Sequence, residues 1–257
     1  MPKSLKKAVS VCITSAKGGV GKTITTINLA GIFSSLNKKT LLIDLDLTNG
    51  ALALYLNKPV TKSIADLSFD LDNHTYTKLD DYVIKYNDYI DCLSCPVDPR
   101  NANEINYKNI DSIIDEASFS YDVILIDTTH NLNPLNLYLL DKVNYTLFIM
   151  TNDPFDVKNI KSLLSIFHNL DKQNYKVLLN NSRDPFKSYF SLYDLRNIIS
   201  NNIDYTISEY SYIKNIDKYI MHGQIITLDP KADRILDKDY AAYLMIASDI
   251  IGGQNNE

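Results

Sequence analysis

The chain has 257 residues, 45% hydrophobic and 22% charged, which fits a soluble globular protein of one large α/β domain or two small ones with a sizeable core. A formal net charge of -5 argues against a surface built mainly for nonspecific nucleic-acid binding, which needs a basic excess, while leaving room for a local basic patch. No uninterrupted apolar stretch approaches the roughly 18–20 residues that a membrane-spanning helix needs, so an integral membrane protein is not expected.

Residues 1–7 contain three lysines and lack the long apolar region of a signal peptide, so a flexible N-terminal extension is expected. Residues 9–14 are apolar and β-branched with small residues interspersed, as in a strand buried on both faces of a parallel sheet. Directly after it comes Lys17-Gly18-Gly19-Val20-Gly21-Lys22-Thr23, and from 22 to 36 apolar residues recur at helical spacing. A strand, a glycine-rich turn and a helix in this order make a phosphate-binding loop. Backbone NH groups of Gly18 to Thr23 can wrap an anion, the helix presents its positive end, Lys22 adds a point charge, and the Thr23 hydroxyl can ligate a metal.

The next strand, 40–45, runs into Asp44-Leu45-Asp46, two carboxylates at alternate positions leaving the sheet beside that loop. Both are candidates for the metal or the attacking water; the competing reading is that one of them caps the helix beginning near Gly50. Between 51 and 85 short helical pieces alternate with polar connections. Residues 89–95 read as a third strand, ended by Pro96 and Pro99, and 104–119 as a helix. Cys92 and Cys95 have the C-x-x-C spacing, but they sit at a strand end with no second pair, so small buried residues are the better reading than a redox or metal site. With Cys12 they form an odd set without a disulfide framework, for which a reducing cytoplasm is the simplest home.

Val123-Ile124-Leu125-Ile126-Asp127 is the strongest buried strand, ending in an acid that would lie next to Thr23 and hold Mg2+. His130 follows in a loop, where it could sense phosphate or a partner, although a lone loop histidine is more often solvated. A helix at 135–141, a strand at 145–151, a helix at 157–170 and a strand at 175–179 continue the alternation. Then come a helix at 192–199, a short strand at 205–207, and helices at 212–222 and 237–251. No proline- or glycine-rich linker divides the chain, so a single domain is expected. Its fold class is α/β, a doubly wound, mostly parallel sheet flanked by helices.

The loop departs from the ordinary pattern G-x-x-x-x-G-K-S/T, because Ala16 stands where the first glycine belongs and Lys17 is added. The pattern K-G-G-x-G-K-S/T is the deviant Walker A motif, and a chain carrying it resembles the ParA/MinD superfamily of dimerising P-loop ATPases. The resemblance implies ATP and Mg2+ as cofactors and a homodimer with ATP sandwiched between subunits. It implies that Lys17 reaches the partner's nucleotide, that Lys22 neutralises β/γ charge, and that Asp46 orients the hydrolytic water. It further implies that Gly18, Gly19, Val20, Gly21, Lys22, Thr23 and Ile24 line the phosphates, that Thr23 and Asp127 position the metal with Asp44 in its outer shell, and that Asn180 at the end of 175–179 reads the adenine.

Departures from the family pattern are Ile24, where many relatives carry a second threonine, Asn181, where relatives commonly have arginine, and Thr129-His130, where prolines are common. Ile24 implies weak nucleotide affinity or slow turnover. The phrases Ser94-Cys95-Pro96 and Asp127-Thr128-Thr129 look most like the CpaE/TadZ branch, which implies a protein partner in pilus, secretion or conjugation machinery. Nonspecific DNA binding, as in ParA proteins, would use Lys158, Lys161, Lys176, Arg183, Lys187 and Arg196. Residues 240–251 carry no lysine or arginine, so direct membrane docking through a basic amphipathic helix, as in MinD proteins, is not expected.

Overall fold

The computed structural model describes residues 7–183, 189–208 and 216–252. In chain order its elements are β1 (Val9–Ser15), α1 (Lys22–Ser35), β2 (Thr40–Leu45), α2 (Leu52–Tyr55), α3 (Ile64–Asp72), β3 (Ile84–Lys85), β4 (Ile90–Leu93) and α4 (Tyr107–Ala117). There follow β5 (Val123–Thr128), α5 (Pro134–Lys142), β6 (Tyr145–Met150), α6 (Pro154–Asn169), β7 (Tyr175–Asn180), α7 (Leu192–Ile199), β8 (Tyr205–Ile207), α8 (Ile216–Met221), α9 (Ala232–Leu236) and α10 (Lys238–Gly252).

The strands form one eight-stranded sheet in the order β3-β4-β2-β5-β1-β6-β7-β8. Every pairing is parallel except the short edge strand β3, which runs antiparallel to β4. Strict alternation of side chains along each strand sends the aliphatics to both faces. Val11, Ile13, Leu42 and Leu125 pack with α1 and α10 on one face, while Cys12, Ile43, Ile126 and Phe148 pack with α4, α5 and α6 on the other. The sheet is therefore dry on both sides, as the buried, β-branched sequence of β1 and β5 requires. A single doubly wound layer places the C-terminal ends of β2, β5, β1, β6 and β7 side by side along one edge of the molecule, where loops can assemble a site.

Several elements differ from the sequence expectation: α6 starts at Pro154 and not at 157, and the short helix α9 is not among those expected. The helix expected from 104 begins at Tyr107, because residues Pro99–Glu104 close a 3-10 turn and the extended Asn106 caps the helix by accepting from Lys108 N. The strand expected over 89–95 is confined to Ile90–Leu93, so Cys92 lies in the strand and Cys95 beyond it. Two residues of β3 carry too little periodicity to be read from sequence. Of the helix expected at 212–222, residues 212–215 lie outside the described residues, as do residues 1–6 of the expected N-terminal extension. Lys7 pairs with Asp115 and lies over the Phe119 ring.

α1 is the central support of the phosphate loop, and the 3-10 turn Ile226–Leu228 packs directly on it. Thr227 Oγ1 donates to Asn28 O at 2.8 Å, and this close approach is open only because residue 31 is glycine. A Cβ at Gly31 would fall 2.1 Å from Thr227 Oγ1 and 2.7 Å from Ile225 Cγ2. Replacing a helical glycine by alanine ordinarily stabilises by up to about 1 kcal/mol. Here the overpacking dominates, so Gly31→Ala is expected to destabilise by about 1–3 kcal/mol. Thermal unfolding followed by circular dichroism would then show a Tm lower by several degrees, and an unchanged or higher Tm would contradict this packing.

Candidate nucleotide and metal site

The phosphate loop folds as its glycines demand. Gly19 has φ 76° and Gly21 has φ 102°, a left-handed backbone that side chains resist, and Gly21 leads directly into α1. No acidic residue lies in the first turn of α1, so no acid of the helix itself offsets its positive end, which faces the loop. Lys22 is buried, and its ammonium donates to Ser15 Oγ at 3.2 Å, while Ser15 Oγ itself donates to Lys17 O at 2.8 Å. Ser15 thus ties the loop's lysine to its backbone, a role that nothing in the sequence pattern signals.

On one side of the loop lie the carboxylates. Asp127 and Asp44 are register partners on the adjacent strands β5 and β2, and both are buried. Thr23 Oγ1 donates to Asp127 Oδ2 at 2.6 Å, and Asp127 Oδ1 is buried without a hydrogen-bond partner among the described residues. Burial pushes the Asp127 carboxyl up to about 6, against the opposing pull of the Thr23 hydrogen bond and the Lys22 charge. Asp44 is pushed up further, to about 8, first by burial and then by the neighbouring Asp127. An orphaned buried carboxylate oxygen beside a hydroxyl and an anion-binding loop fits Mg2+, which takes one or two protein oxygens and leaves its other positions to water and phosphate.

Asp44 also does what the capping reading proposed. It accepts from Leu52 N at 3.0 Å, at the start of α2, and from Asp46 N at 3.3 Å. A Cβ at Gly50 would lie 2.4 Å from its Oδ1, so this glycine lets the chain pass over the carboxylate. Asp46 is half-buried at the edge of the site and accepts from Asn49 N at 3.2 Å.

On the other side of the loop a cleft is lined by Lys17, Gly18, Gly19, Val20, Asn180 and Tyr189, among others. Lys17 forms an ion pair with Asp153 Oδ1 at 3.1 Å. Asp153 in turn caps α6 by accepting from Phe155 N and Asp156 N, so it is a fixed anchor. Asn180 is buried, donates from Nδ2 to Val20 O at 2.9 Å, and accepts on Oδ1 from both Ser182 N and Ser182 Oγ. Both lone pairs of that oxygen are taken and one amide N–H remains. Asp153 and Tyr189 were not singled out by sequence, because an aspartate before proline and a lone tyrosine carry no motif.

The AAA_31 family model, an AAA domain, matches residues 8–181, which span the loop, both carboxylates and Asn180. The chain belongs to this family, within the ParA/MinD P-loop ATPases. It is 32% identical over 120 residues to the septum site-determining protein MinD of Synechocystis, an alignment that covers 46% of this chain and only 43% of that protein. The chain thus spans less than half the length of that relative. A ParA family ATPase from Chlorobium tepidum superposes with a TM-score of 0.79 at 19% identity, covering 94% of this chain and 98% of that one. The MinD protein of Pyrococcus horikoshii, complexed with Mg-ADP, gives 0.76 at 19% identity with 95% and 96% covered. These two likenesses establish the fold.

Several residues that distinguish this ParA/MinD chain have definite places. The His130 ring lies over the phosphate loop, with Cε1 3.4 Å from where a Gly18 Cβ would stand. Its segment is held by Asn136, whose Nδ2 donates to Thr129 O and Asn131 O on either side of the histidine. Ile24 is half-buried in the first turn of α1. Cys12 and Cys92 are buried free thiols and Cys95 is half-buried, with burial raising Cys12 and Cys95 to about 12 and Cys92 well above its ordinary value. They are held as thiols, and no three-residue metal cluster of His, Cys, Asp or Glu occurs among the described residues.

Of the basic candidates, Lys158 and Lys161 are exposed on α6, Lys176 pairs with Asp204 at 3.1 Å, and Arg196 donates to Ile203 O. Lys187 lies outside the described residues. α10 buries Tyr243, Ile246, Ala247 and Ile250 against α1 and β8, and no described helix is long and apolar enough to cross a membrane.

The raised carboxyl pKa values fix a pH dependence. A carboxyl whose folded pKa lies above its unfolded value of about 3.9 contributes stability that is full below that value and is lost as pH rises to the folded pKa. Nucleotide-free, Mg2+-free protein should therefore lose stability between about pH 4 and 8, with Asp44 responsible for the loss above about pH 6. Urea unfolding midpoints across pH 6–8 should fall less steeply for Asp44→Asn than for wild type, and equal slopes would show that Asp44 ionises normally.

Proposed function

We propose that this chain is an ATP-binding, slowly hydrolysing dimeric switch that positions or partitions a cellular cargo. The observation that carries the reading is the joining of Lys22, Thr23 and an orphaned Asp127 oxygen at one anion-binding helix terminus. Backbone amides of Gly18 to Thr23 and the Lys22 ammonium would hold the phosphates, and Thr23 with Asp127 would hold Mg2+, with Asp44 behind them. When bound, Mg2+ would neutralise charge on the phosphate oxygens. Asp46, at the rim, would orient the attacking water.

Lys17 gives the switch its logic. Within one subunit it is neutralised by Asp153. To act on a nucleotide in a second subunit it must exchange that partner for phosphate, so late charge stabilisation would come only from the dimer, much as a trans-acting arginine supplies it in other NTPases. A half-exposed ion pair of this kind is worth little, which makes the exchange inexpensive in free energy. The cargo we propose is pilus, secretion or conjugation machinery, on the likeness of Ser94-Cys95-Pro96 and Asp127-Thr128-Thr129 to the CpaE/TadZ branch.

A second reading, a nucleotide-dependent scaffold that does not hydrolyse, is favoured by Ile24 and by the engagement of Asp46 in its own turn with Asn49. A ParA-type DNA-partition role has less support, since two of its basic candidates are engaged within the chain. Phosphate release and gel filtration with ATP separate the readings. Wild type should dimerise with ATP and turn over slowly, Lys17→Ala should stay monomeric and lose hydrolysis, and Asp46→Ala should dimerise without hydrolysis. Equal inertness of all three in phosphate release, with or without DNA and lipid, would leave the scaffold reading standing. A salt-sensitive, ATP-dependent DNA shift would favour the partition role.

A further inference from the structure

We propose that Tyr189 is the stacking platform for the base of the bound nucleotide, an inference that rests on the nucleotide-binding reading above. Tyr189 lines the cleft beside Val20 and Asn180, on the side of the phosphate loop away from the carboxylates, and 53% of it is exposed. A phosphate chain running over the loop toward Thr23 and Asp127 leaves the base at this opposite end.

The neighbouring backbone is fixed from two directions. Asn152, itself 8% exposed, donates from Nδ2 to Phe190 O at 2.8 Å and accepts on Oδ1 from Phe190 N at 3.0 Å, a two-way clamp on the residue after Tyr189. Ser191 then caps α7 through a reciprocal box with Asp194, and Phe190 packs partly on the core. These contacts hold the aromatic residue at the mouth of the cleft.

The limited hydrogen-bonding capacity of Asn180 favours an aromatic platform. Asn180, the expected reader of the base, has its oxygen filled by Ser182 and one N–H given to Val20. It can offer a base one remaining donor and no acceptor. Stacking on a tyrosine requires no such matching, since every base presents a π face, and is worth about 1–3 kcal/mol per base. Tyr193, 74% exposed in the first turn of α7 and not among the cleft residues, is the internal control.

The test is calorimetric titration of the full chain with MgATP, MgADP and Mg-tripolyphosphate, which carries the phosphates but no base. Tyr189→Ala should weaken ATP and ADP about 5- to 150-fold while binding tripolyphosphate as wild type does, which also shows that the variant is folded. Tyr189→Phe should restore affinity, and Tyr193→Ala should match wild type. Tyr189→Trp would be the sole tryptophan of the chain, and its fluorescence should respond to ATP and not to tripolyphosphate. Unchanged ATP affinity in Tyr189→Ala, or an equal loss for tripolyphosphate, would overturn the inference. A wild type that binds neither ligand would overturn the nucleotide-binding reading and this inference with it.

Discussion

The 2.6 Å hydrogen bond from Thr23 to Asp127 is the interaction on which the site depends. It joins the first turn of α1 to the end of β5, and so sets where the positive helix terminus stands relative to a buried acid of the sheet. Asp127 is buried, close to Lys22 and next to the equally buried Asp44, so two carboxylates occupy a dry space served by one ammonium. Their raised pKa values express that imbalance: in the absence of a cation, the site favours protonated acids. A divalent ion would reverse the preference, since its ligands must be ionised to bind it. Metal affinity and proton release would thus be coupled at this site.

The loop divides the site into two halves with different physics. Toward β5 and β2 lie buried acids, suited to a metal and to phosphate charge. Toward β6 and β7 lies a cleft walled by amides, an ion pair and an aromatic ring, suited to a neutral base. Lys17 stands on this second side, paired with Asp153, the residue that also caps α6. Any movement of Lys17 toward another subunit therefore changes the charge at the end of α6, whose exposed flank carries Lys158 and Lys161. A nucleotide-dependent change at the loop, were it to displace Lys17, would have an electrostatic route to that outer surface.

What was legible in the sequence was local. Residues 9–35 read as strand, loop and helix because their chemistry repeats within a short window, and Asp127 stood out because four aliphatics preceded it. The doubly wound class follows from the alternation of such segments, and the family match over residues 8–181 agrees with the phosphate-binding loop read from the motif. The capping function of Asp44 was legible only as an alternative, since distance to Leu52 N decides it. Illegible were the contacts made across the chain: Ser15 with Lys22, Asp153 with Lys17, Asn152 with Phe190, and Thr227 against Gly31. Each joins common residue types whose significance arises only when the sheet order brings β1, β6 and the later loops together. The start of α4 was misplaced for a related reason, because the capping geometry of Asn106 outweighed the helical pattern upstream of it.

The proposed metal site of Asp127 and Thr23 would serve a nucleotide held on the loop. Its most direct measurement is calorimetric titration of ATP into wild type and Asp127→Asn, each with Mg2+ and with EDTA. Mg2+ is expected to strengthen ATP binding to wild type at least about 10-fold, a difference of about 1.4 kcal/mol, and to have little effect on the variant. An ATP affinity of wild type that is indifferent to Mg2+, or a Mg2+ effect that survives Asp127→Asn unchanged, would contradict it.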